Sequence, residues 1–66
     1  MQFQVTDIEF DFVDDEGILP DEFQTPIIED TIGTIWDAVD GDDLIEEITA
    51  ATGWCINSID YKIILK

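Results

Sequence analysis

The chain has 66 residues, room for a single domain spanning 1–66 and no second core. Its 17 acids stand against Lys62 and Lys66 alone, with no Arg and no His, for a formal net charge of −15. That balance excludes a basic surface for gripping phosphates or an anionic bilayer, and the lack of His removes the commonest general base and metal ligand. At 45% hydrophobic residues the chain is too rich in core-forming side chains for a disordered acidic tail, so a fold is expected despite the charge. No basic segment followed by an apolar run marks the N-terminus, and no stretch approaches the roughly 18 apolar residues of a membrane span. Cys55 is alone, so an internal disulfide cannot form. The expectation is a soluble cytoplasmic protein.

Residues 2–13 alternate apolar and polar side chains, which predicts a strand. Phe3 and Val5 share one phase, and Ile8, Phe10 and Phe12 share the other. The phase slips near Thr6–Asp7, so either a bulge sits there or only half of the strand is fully paired. Residues 14–18, three acids with Gly17 and Ile18, predict a turn. A helix is expected within 20–32, ending at Gly33, with Phe23, Ile27, Ile28 and Ile32 along one face. Pro26 opposes one long helix, and a fresh start with Thr25 as N-cap and Pro26 at N1 resolves the conflict.

Residues 34–39 predict a second strand with Ile35 and Val39 on one phase and Trp36 on the other. Asp40 is a good N-cap, with Asp42 and Asp43 in the first turn and Val39 placed to staple against Leu44. Leu44, Ile45, Ile48 and Ala51 share a helical face, Gly53 suits a left-handed C′ position, and Trp54 can pack back on Ile48 or Thr49. Helix 41–52 is the clearest local signal. Residues 56–65 predict the last strand, with Ile59, Tyr61, Ile63 and Leu65 on one face and Ile64 breaking the polar phase. The result is an α+β domain of order β-(α)-β-α-β, a small three-stranded sheet with helices packed on one face. The last two strands should run parallel, because a helix connects them.

The acid clusters do not make a calcium loop. With Gly17 at position six of an EF-hand frame, Phe12 and Phe23 fall at ligand positions; with Gly41 there, Trp36 and Ala38 do. Zinc needs Cys or His clusters, which are missing. Carboxylate pairs occur here by composition alone, so they do not indicate general acid–base chemistry. Cys55, beside Trp54 in an acidic chain without His, reads as a small core residue rather than a reactive thiol. No cofactor, metal or catalytic residue is expected.

Two Trp residues in so small a core invite an interface reading for one of them. Trp36, with Asp37, Asp40, Asp42 and Asp43 as an acidic rim, is the candidate partner-binding set. The acidity itself has a solubility reading and two functional ones. One is a protein partner with a basic surface, reached by steered association, with no direct nucleic-acid binding. The alternative is an acidic DNA mimic that blocks a nucleic-acid-binding protein.

Several segments together carry a resemblance: Val5-Thr6-Asp7-Ile8-Glu9-Phe10-Asp11, Leu19-Pro20, Asp43-Leu44-Ile45, Ala51-Thr52-Gly53-Trp54-Cys55 and Asn57-Ser58-Ile59-Asp60-Tyr61. The chain resembles a family of small acidic proteins of unassigned function from bacteria and marine cyanophages. The resemblance implies no catalytic residues. A phage setting would imply a host protein as the partner, met in the host cytoplasm.

Overall fold

The computed structural model describes residues 1–65. The long first strand, β1 (Gln2–Asp11), is the centre of the sheet and the spine of the core. A two-stranded hairpin follows, β2 (Val13–Asp14) and β3 (Gly17–Ile18). The Asp14 carboxylate accepts from the Glu16 amide at 2.8 Å to hold its turn. Gly17 closes it at φ 117°, a conformation that side chains disfavour. Then come α1 (Asp21–Gly33), β4 (Ile35–Asp37), α2 (Gly41–Thr52) and β5 (Cys55–Ile64).

The main sheet has the order β4-β1-β5, and both pairings are antiparallel. β4 and β5 therefore run the same way, as the helical connection requires. They do not touch, because β1 lies between them. The architecture is the expected α+β one, a small sheet with both helices on one face.

The phase slip in β1 is a bulge. Val5 pairs with Tyr61 and Asp7 with Asp60, so Thr6 has no partner. The bulge absorbs the extra residue, so Phe3, Val5, Ile8 and Phe10 all face the helices at 6% exposure or less. A second bulge lies on β5. Glu9 pairs with Ser58 and Phe10 with Ile56, leaving Asn57 unpaired. Leu44 and Ile48 of α2 close the core from above, both fully buried, and Ile27, Ile28 and Ile32 of α1 pack beside them.

The two ends of helix α2 are built as the sequence predicts, and Leu44 and Ile48 of its expected face are buried while Ala51 is exposed. The Asp40 carboxylate accepts from the Asp43 amide at 2.8 Å, and the Asp43 carboxylate reaches back to the Val39 amide at 2.9 Å. The first bond satisfies a donor that a helix start leaves orphaned, and the second ties down the residue before the cap. Gly53 is left-handed at φ 79° and donates to the Thr49 carbonyl at 2.8 Å, the single-bond C-terminal cap. Tyr61 lies against Gly41, where any side chain would overlap its hydroxyl.

Several expectations are corrected: β5 ends at Ile64 and Leu65 is 87% exposed, and Trp54 stacks edge-on against Phe12 at 5.2 Å. Helix α1 runs unbroken through Pro26 instead of restarting there. The missing N–H would have met the Glu22 carbonyl, and both residues are exposed, so the unpaired oxygen is open to solvent and its cost is reduced. Phe23 leaves the apolar face and is 56% exposed. Val39 is 76% exposed and makes no staple, since the carboxylate bonds of Asp40 and Asp43 already fix the start of α2. Cys55 is exposed rather than core, because it pairs with Asp11 on the uncovered face. Trp36 faces the core side and Ile35 the outside, the reverse of the expected phase, because β4 pairs Trp36 with Phe3.

Candidate functional site: the uncovered sheet face

The helices cover one side of the sheet and leave the other open. Cross-strand partners share a face, so the register places Gln2, Gln4, Asp7, Glu9 and Asp11 of β1 on the open side. Beside them lie Ile64, Lys62, Asp60, Ser58 and Cys55 of β5, and Ile35 and Asp37 of β4. Asp7, Glu9 and Asp11 form a row with steps of about 6.6 Å, two strand residues each. Asp7 stands directly opposite Asp60. Like charges in that position destabilise a sheet.

The two bulges bracket this acidic stretch. Between them lie three cross-strand pairs, Asp7 with Asp60, Ile8 with Ile59 and Glu9 with Ser58. The same residues, apart from Ile59, line a shallow polar depression on the surface. Its chemistry is carboxylate and hydroxyl, which attracts cations and amide or ammonium donors. Among the described residues, no group of three or more His, Cys, Asp or Glu is arranged to hold a metal ion. A larger cleft between α1 and α2 is lined by Pro26, Ile27, Asp30, Ala51 and Thr52. The Thr52 hydroxyl is occupied there, donating to the Ile48 carbonyl at 2.9 Å.

The structure disperses the set expected from the sequence. Trp36 is half-buried and packs against the core, and its indole N–H donates to the Thr31 carbonyl at 3.0 Å, capping the end of α1. Asp37 is exposed on the open face, on the far side of β4 from Trp36. Asp40 and Asp43 spend their carboxylates on the start of α2, and Asp42 is exposed beside them. Only Asp37 of these five joins the open face. Sequence reasoning passed over Asp7, Glu9, Asp11 and Asp60, although the alternation of β1 already put the first three on one phase.

The chain matches no family model, no curated protein and no solved structure. No helix among the described residues is long and apolar enough to cross a membrane.

Proposed function

We propose that this domain is a non-enzymatic cytoplasmic binding module whose open sheet face meets a basic surface on a protein partner. The observation that carries this reading is the gathering of Asp7, Glu9, Asp11 and Asp60 on the one sheet face that no helix covers. The Asp7–Asp60 opposition costs the free domain stability, and a positively charged partner would turn that cost into attraction. Long-range charge of this size also speeds encounter with a basic surface. The resemblance to small acidic bacterial and cyanophage proteins fits a modulator that acts on a host protein. Trp36 enters this reading as support for the fold, and Asp37 as the rim of the face.

The test is capture from a lysate of the source organism with wild type and with the variant Asp7→Asn/Glu9→Gln/Asp11→Asn/Asp60→Asn. Basic-surfaced proteins held by wild type, released by salt and lost from the variant are the expected result. Identical capture by both proteins would place the contact elsewhere. Release of the captured protein by duplex DNA would favour the mimic, since carboxylates would then occupy a phosphate site.

A further inference from the structure

The edge of the sheet at β5 is open. β5 pairs with β1 on one side only, and no described strand lies on its other side. Its outer row of N–H and C=O groups is a template for another strand. Proteins usually blunt such an edge with short strands, proline, bulges or several lysines. β5 has ten residues, no proline and one lysine, and its bulge at Asn57 lies near its start. Ser58–Ile64 is therefore an uninterrupted edge.

The two faces of this edge differ in chemistry. On the helix side Tyr61 is 40% and Ile63 45% exposed, while their partners on β1, Val5 and Phe3, are 0% and 1% exposed. The apolar face of the sheet thus continues past β1 and ends only partly covered at β5. On the open side the edge carries Ser58, Asp60, Lys62 and Ile64, with Glu9 and Asp7 behind the first two, so its acidic part is centred on Asp60 and Lys62 bounds it. A strand laid along β5 would place alternate side chains against Tyr61 and Ile63, and the others along Ser58, Asp60 and Lys62, where a basic residue is drawn to the Asp60 end. A second copy of the chain is a poor occupant, because it brings another net charge of −15.

We infer that β5 is the docking edge for an extended segment of the partner in which basic and apolar residues alternate. Such a segment adds a fourth strand, with main-chain hydrogen bonds for affinity and the alternation for specificity. This rests on the acidic-face reading and names the form of its partner.

The experiment titrates the labelled domain with three peptides of the length of β5, read by amide chemical shifts and hydrogen exchange. One alternates Lys and Val, one has the same composition in two blocks, and one alternates but is N-methylated along the edge that would face β5. The alternating peptide should bind and protect the edge amides of Ser58–Ile64. The block and N-methylated peptides should bind at least about tenfold more weakly, as should the alternating peptide to Asp60→Lys. Ile63→Thr, which keeps a β-branched residue on the strand, should weaken binding while leaving the fold unchanged. Equal binding of all three peptides, with shifts confined to Asp7, Glu9 and Asp11, would overturn the edge but uphold the acidic face. Failure of every peptide to bind would overturn both. A dimer joined through β5 in the free protein would overturn the edge as a partner site.

Discussion

Gly41→Ala should destabilise the domain, although the same change at an ordinary helical position would stabilise it. Gly41 opens α2, where alanine would normally contribute up to about 0.5–1 kcal/mol. Here the new Cβ would overlap the Tyr61 hydroxyl and crowd its ring. The ring must then swing outward and lose its edge contact with Phe3, now at a centroid distance of 5.4 Å and an angle of 82°. Such a pair is worth about 0.5–1.5 kcal/mol. Uncovering roughly 60 Å² of the ring costs about 1.5 kcal/mol more, at 25 cal/mol per Å². The net loss is about 1–2 kcal/mol, and a domain this small should melt roughly 5–15 °C lower. Thermal and urea melts of Gly41→Ala, Tyr61→Ala and the double variant measure it. In the Tyr61→Ala background, Gly41→Ala should become neutral or stabilising, with a coupling of at least about 1 kcal/mol. Two results would refute the reasoning: a single variant as stable as wild type, or the same loss in both backgrounds.

Added salt should raise the melting temperature, because a Debye length of about 10 Å at 0.1 M screens repulsion across so small a domain; a flat or falling curve in sodium chloride counts against self-repulsion as a main cost. Pro26→Ala should stabilise α1 by about 1 kcal/mol, the restored bond to the Glu22 carbonyl outweighing the freer unfolded chain, and denaturant midpoints will show it. Trp36→Phe should cost about 1 kcal/mol through the lost bond to Thr31. Trp36→Ala should cost about 2–4 kcal/mol as its packing goes too, and circular dichroism melts separate the two.

Much of this fold was legible, and the places where reading failed have physical causes. Helix α2 carries its own boundaries, since Asp40, Asp43 and Gly53 each satisfy a local demand that neighbouring residues cannot alter. The slip in β1 showed as a break in alternation, and the structure resolves it as a bulge. β4 is different. Its three residues are too few for alternation to tell inside from outside, and the choice falls to the pairing of Trp36 with Phe3 and the bond to Thr31. Cys55 was misread because a small apolar residue beside Trp54 looks internal until the pairing with Asp11 is known. The open acidic face is a tertiary fact. It depends on both helices packing on the same side, and nothing local announces that.

The bulges reach further than the burial they preserve. With Thr6 struck out, β1 reads Phe3, Gln4, Val5, Asp7, Ile8, Glu9, Phe10, an unbroken alternation. With Asn57 struck out, β5 reads Cys55, Ile56, Ser58, Ile59, Asp60, Tyr61, and does the same. Each strand is thus a regular pattern with one polar residue spliced in, and neither splice is needed to sort inside from outside. What an extra residue does supply is local bend and added twist. The three pairs between the splices carry Asp7, Glu9 and Asp60, so the aim of these carboxylates is set by two neutral residues. Shortening either strand by its supernumerary residue leaves every charge and every core contact residue in the chain. Such a deletion should alter the bend and twist of the strand, and with them the direction in which the acids point, and so separates the composition of this surface from its shape.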